Sequence, residues 1–167
     1  MMKFALCLYG HFRSFTDCWP NLDQFLLQPN LMPDVFAFSW TDSMGYFQHP
    51  EAANSPLAHV GYDPSSPEVT ADYLQGVVAR VNPTSYRFEN YQSHDEYFNE
   101  MICRLRPFYH PNPSHRPKGT LGQVYGRCQS LKLAQQHEQR HGFEYDIIAC
   151  TRWDIDYTKP IDLSDIR

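Results

Sequence analysis

The segment "YDIIACTRWDIDYT", residues 145–158, holds the residues most suited to chemistry. The apolar run Ile147 to Cys150 passes into Arg152, Asp154 and Asp156. Two carboxylates two residues apart repel unless something positive sits between them. One solution is a divalent cation held by the hard oxygens of Asp154 and Asp156 against a phosphate-bearing ligand. Arg13 and Arg152 would then add bidentate contacts to phosphate. The other solution is local: Arg152 pairs with one of the aspartates and the charges serve structure alone.

Two further patterns compete. His137 to His141 reads "HEQRH", an H-E-x-x-H that on a helix sets two histidines on one face, as in a zinc peptidase with Glu138 as base. Gly142 stops that helix at once, and no third ligand follows on a later helix, so a charged, solvated helix end explains the residues more simply. "DIDYT" also reads D-x-D-x-T, the opening motif of aspartate-nucleophile phosphatases of the haloacid dehalogenase type. That motif opens its domain, with lysine and further acidic motifs downstream, whereas here it closes the chain.

Stepping between these motifs, hydrophobic patterning predicts the elements that must position them. Lys3 to Tyr9 is a compact apolar run ending at Gly10, a buried strand. A helix follows from about Thr16, its cap, to Leu27, with Pro20 near the first turn. "DVFAFSW", Asp34 to Trp40, is a second strand. An irregular stretch, Thr41 to Ser65, precedes a helix capped by Ser65 or Ser66, with Val69, Tyr73, Val77 and Val81 in one stripe and Asn82-Pro83 as its stop. "SYRFEN" is a short strand. Ser93 to Leu105 is helical, with Tyr97, Met101 and Leu105 on one face. A second irregular loop, "RPFYHPNPSHRPKG", leads to the longest helix, Thr120 to His141, with Leu121, Val124, Cys128 and Leu131 inward and Gly142 as its stop. Tyr145 to Trp153 is the last strand.

This alternation is that of a single α/β domain, residues 1–167, with a mainly parallel sheet. In open α/β sheets, ligands bind beyond the carboxyl ends of the strands. Three strands end in polar groups: Gly10, His11, Arg13 and Ser14 after the first, Thr41 and Asp42 after the second, Arg152, Asp154 and Asp156 after the last. If these strands are neighbours, the three sets meet on one edge. His11 reads as a solvated loop residue, and the two long irregular loops as a binding rim.

Composition narrows the partners. Across 167 residues the net charge is −5, and the basic residues are scattered. This gives no bulk attraction to nucleic acid or anionic membrane. No apolar stretch approaches a transmembrane span, and "MMKFALCLYG" reads as a strand rather than a signal peptide. The five cysteines include no C-x-x-C pair, which points to a reducing cytoplasm.

Three stretches, "KFALCLYGHFRSF", "DVFAFSWTD" and "QVYGRCQSLKLAQQHEQRHGFEYDIIACTRWDIDY", together resemble a group of bacterial and viral glycosyltransferase-like proteins. The shared pattern is a first strand ending G-x-x-R-[ST]-F, a second reading D-V-F-x-x-[ST]-W-x-D, and a helix leading into Y-D-x-[IV]-[IV]-x-x-R-x-D. The resemblance implies an A-type glycosyltransferase fold, Rossmann-like and three-layered α/β/α. It implies a nucleotide-diphosphosugar donor, uridine-based, and an unidentified acceptor. Gly10, Arg13, Asp42, Gln123, Arg127 and Arg152 fall on donor-binding positions, and Asp154 and Asp156 on the D-x-D that holds Mn²⁺ or Mg²⁺. Tyr125 falls on the same helix as Gln123 and Arg127, with helix packing as its expected role. No catalytic base is assigned. Eleven residues follow Asp156, where such enzymes carry an acceptor-binding segment, so a binding module for a nucleotide sugar or a protein, without turnover, is the alternative to a metal-dependent transferase.

Overall fold

A computed structural model describes residues 2–12, 15–41, 69–105 and 117–165. Arg13, Ser14, Asp42, the caps Ser65 and Ser66, and most of both irregular loops lie outside them. Among the described residues there are four strands, β1 (Phe4–Tyr9), β2 (Asp34–Trp40), β3 (Ser85–Glu89) and β4 (Ile147–Arg152). The helices are α1 (Phe15–Leu22), α2 (Ala71–Val81), α3 (Asp95–Leu105) and α4 (Pro117–His141). α1 continues through a π-helical turn, Asp23–Leu27, and a 3-10 turn, Gln28–Asn30. Among the described residues no helix is long and apolar enough to cross a membrane.

The strands form one sheet in the order β3-β2-β1-β4, every pair parallel. Alternate residues of each strand feed opposite layers. Leu6, Leu8, Val35 and Ala37 pack with Phe15, Trp19 and Leu22 of α1 and Val77 and Val81 of α2. Ala5, Cys7 and Phe36 pack against Ala134 of α4, and Phe38 and Trp40 against Phe98 of α3. The sheet is thus covered on both faces, which is why β1 and β2 are almost continuously apolar.

One rule accounts for which helix lies where. Parallel crossovers are right-handed, so a chain that reverses its stepping direction must move its helices to the other face. β1, β2 and β3 step one way, with α1 and α2 on one face. The chain then returns past β1 to β4, with α3 and α4 on the other. The reversal leaves the carboxyl ends of β1 and β4 as the switch point of the sheet.

Several local expectations change. Thr70, not Ser65 or Ser66, caps α2: its backbone is extended and its side chain accepts from the Tyr73 N–H at 3.2 Å. Thr16 lies inside α1 rather than capping it. Phe98 is the buried residue of α3, while Tyr97 is 48% exposed. On α4, Val124 and Cys128 face outward. The inward stripe is Gly122, Gly126, Ser130 and Ala134, spaced every four residues. A Cβ at Gly122 would lie 2.7 Å from the Tyr91 ring, and one at Gly126 3.0 Å from Phe38. Small residues let α4 sit close on an aromatic surface, so its inner face does not read as apolar.

Candidate functional site at the switch point

β1 ends at Gly10, whose φ of +118° favours glycine. The Gly10 carbonyl accepts from Ser39 Oγ at 2.9 Å and from the Trp40 N–H at 3.4 Å, tying the turn to β2. His11 continues in a bridge beside Trp40 and is half-buried rather than solvated. Tyr9 pairs with Arg152, so the turn after β1 and the charged segment after β4 emerge side by side.

β4 stops at Arg152, and a turn carries Trp153 and Asp154. Asp154 and Asp156 therefore lie beyond the strand. Trp153 is buried and reaches back across β1: its N–H donates to the Tyr9 carbonyl at 3.3 Å and its indole Nε1–H to the Phe38 carbonyl at 2.9 Å. The ring lies over Gly10 and packs on Phe12 and Phe15 at 5.0 and 5.6 Å between centroids.

Arg152 pairs with Asp154. Its Nε and Nη2 donate to the two oxygens of Asp154 at 2.8 and 2.6 Å, a bidentate pair. The Asp154 side chain is 13% exposed and that of Arg152 30%. Asp156 is exposed and lies beside Cys18 of α1, whose thiol is pushed up to about 11 by burial first, then by Asp156 and Asp154.

The segment after Asp156 is strapped to α1 by two asparagines acting as backbone mimics. Asn21 donates to the Tyr157 carbonyl at 2.9 Å and accepts from the Tyr157 N–H at 2.6 Å. Asn30, buried, does the same with Ile161 and Leu163 at 2.7 Å each. Thr151 and Tyr157 also share a hydroxyl hydrogen bond of 2.6 Å. The D-x-D turn is thus held at both ends.

Of the sequence-derived site residues, Gly10, Arg152, Asp154 and Asp156 come together on the carboxyl edge. Arg13 and Asp42 follow Gly10 and Thr41 in the chain but lie outside the described residues. Gln123 is exposed on α4. Arg127, on the same helix, is exposed and acts on the Cys150 thiol, two residues below the end of β4, favouring its charged form. Among the described residues, no group of three or more His, Cys, Asp or Glu side chains is placed to hold a metal ion.

"HEQRH" has structural work. His137 packs on Phe36 and stacks with Tyr145, and Glu138 accepts the Tyr145 N–H at 2.7 Å. These two residues are half-buried, not solvated. The expected stop at Gly142 is present, with φ +69° and its N–H on the Glu138 carbonyl.

Sequence reading missed a second polar cluster at the ends of β2 and β3. Glu89, 12% exposed, accepts from Tyr125 Oη at 3.0 Å and pairs with His94 Nε2 at 2.7 Å; Arg87 lies against its other oxygen as an ion pair without hydrogen-bond alignment. Trp40, Tyr91 and Phe98 wall it in, with Trp40 stacked on Tyr125. Burial and then Glu89 push the Tyr125 hydroxyl up to about 12. Only the aromatic density of "ENYQSHDEYF" hinted at it.

No family model, curated protein or solved structure matches this chain.

Proposed function

We propose that this protein binds a nucleotide-diphosphosugar at the carboxyl ends of β1 and β4 and acts as a metal-dependent glycosyltransferase. One observation carries the reading: the glycine turn after β1 and the Arg152–Asp154–Asp156 segment after β4 flank the point where the winding of an all-parallel sheet reverses. That is where open α/β sheets take their ligands. Gly10 lets the backbone turn sharply there, and the strapped segment holds its charges in fixed positions.

The donor set fits Mn²⁺ or Mg²⁺ bound in the manner of phosphate-handling sites, through one or two carboxylates with the remaining positions left to phosphate and water. Asp154 and Asp156 would hold the ion. When bound, the ion supplies neutralisation of a diphosphate leaving group. Arg152 holds Asp154 in orientation and tempers the repulsion between the carboxylates. Its guanidinium can also turn one N–H face toward a phosphate.

Isothermal titration with a panel of uridine diphosphosugars, with and without Mn²⁺, tests the reading. Metal-dependent binding that is lost in Asp154→Ala and Asp156→Ala is the expected result. Unchanged Mn²⁺-dependent binding in both variants would end the metal-site reading. Slow release of sugar to water separates a transferase from a module that binds without turnover.

A further inference from the structure

Cys7 and Cys150 are direct register partners on the neighbouring parallel strands β1 and β4. Both belong to the layer beneath α4, with Ala134 and Leu131 above them. Partners in adjacent strands lie about 4.8 Å apart in the hydrogen-bonding direction. That is inside the roughly 4.4–6.8 Å Cα range over which a disulfide closes. Both residues are free thiols.

The two sulfurs have opposite surroundings. Cys7 is fully buried and donates its S–H to the Ser130 carbonyl at 3.6 Å. Cys150 is half-buried on an edge strand, with Cys7 and the Arg127 guanidinium as the groups that favour its charged form. The charged and titratable groups around the pair are Arg127 and Glu138 of α4, and Tyr145 just before β4. Among the described residues around the pair, Arg127 supplies the positive charge that acts on Cys150. Glu138 disfavours ionisation at Cys7. Cys7 first, then Arg127, lower the Cys150 thiol from its ordinary value against the opposing effect of burial. Cys150 and burial drive Cys7 upward.

We propose that Cys150 is a peroxide-reactive thiolate, with Cys7 as its resolving partner, and that oxidation locks β1 to β4 through a Cys7–Cys150 disulfide. In the first step the Cys150 thiolate attacks one oxygen of hydrogen peroxide, the O–O bond breaks, hydroxide leaves, and Cys150 becomes a sulfenic acid. In the second, the Cys7 sulfur attacks Cys150, the S–S bond forms, the S–O bond breaks, and water departs carrying the Cys7 proton. Two thiols and one peroxide give one disulfide and two waters. A partly exposed attacking sulfur, and a resolving sulfur held in register beside it that gives up its proton as it attacks, are the parts this sequence needs.

The test is alkylation of the native protein with iodoacetamide across pH, read cysteine by cysteine by peptide mass spectrometry. Exposed Cys103 is the internal reference. A lowered pKa raises the thiolate fraction of Cys150 at neutral pH, but low-pKa thiolates are weaker nucleophiles, so the net rate advantage is small. The pH midpoint is therefore decisive. It should fall below the value of about 9 for an ordinary thiol. Arg127→Met should raise it, and Arg127→Lys should restore it in part. Equimolar peroxide should yield the Cys7–Cys150 cross-link in wild type, and a dimedone-trapped Cys150 sulfenic acid in Cys7→Ser and Cys7→Ala. A Cys150 midpoint at or above that of Cys103 overturns the proposal, as does peroxide oxidation of the native protein that leaves Cys7 and Cys150 unlinked. The wild-type profile needs no variant to fold. Nucleotide-sugar binding is read separately, so this inference can fail without touching that one.

Discussion

The indole Nε1–H of Trp153 donates to the Phe38 carbonyl at 2.9 Å, spanning the end of β1 to join the turn after β4 to β2. Trp153→Phe removes that donor and part of a 1%-exposed ring from the cluster with Phe12 and Phe15. The expected loss is about 1–3 kcal/mol, combining a lost hydrogen bond with a small cavity. Urea unfolding at constant m-value measures it. A loss below about 0.5 kcal/mol, the range of ordinary surface changes, would mean that the turn does not depend on this tie.

Arg152 and Asp154 should respond unequally to truncation. Arg152→Ala strips the guanidinium from a carboxylate that is 13% exposed, while Asp154→Ala leaves an arginine that is 30% exposed and can turn toward water. Arg152→Ala should therefore cost about 1–3 kcal/mol, less than for a fully buried pair, and Asp154→Ala less again. Arg152→Ala should also tighten binding of Mn²⁺ alone, because a competing cation has gone. Thermal melts with and without Mn²⁺ report both effects. Equal losses in the two variants would contradict the asymmetry.

Two helical glycines should give opposite signs. Gly76, in the middle of α2, has nothing within 4 Å of an added Cβ, so Gly76→Ala should stabilise by about 0.5–1 kcal/mol. Gly122→Ala gains the same propensity but sets a Cβ 2.7 Å from the Tyr91 ring. Overpacking of about 1–3 kcal/mol outweighs that gain. Denaturant midpoints decide, and a stabilising Gly122→Ala would show that Tyr91 moves freely.

Tyr125 makes stability sensitive to alkali. Its folded value, about 12, lies above the ordinary 10.0. The protonated form is thus favoured by folding, and its contribution is complete below pH 10 and lost as pH rises toward 12. Tyr125→Phe has no hydroxyl to ionise, so its stability should fall less steeply over that window than that of the wild type. Parallel curves for the two proteins would show that the Glu89 contact does not govern the titration.

The sequence by itself determined the order of elements, the four strands and the parallel α/β class. Continuous apolar runs such as "FALCLY" and "DVFAFSW" have only a sheet buried on both faces to occupy, and Gly10 and Gly142 mark turns that L side chains resist. Placement of Gly10 and the aspartates on one edge also followed, because parallel strands deliver all their carboxyl ends to the same side. Tertiary structure decided the rest. Whether Arg152 faces a ligand or Asp154 depends on a turn that starts one residue after the strand, which periodicity does not resolve. The inner face of α4 escaped notice because close packing on Phe38 and Tyr91 selects Gly, Ser and Ala over apolar bulk. The Glu89–His94–Tyr125 cluster and the Cys7–Cys150 pair join residues 36 and 143 positions apart at their widest, and only strand register and helix docking bring such distant groups within reach of one another.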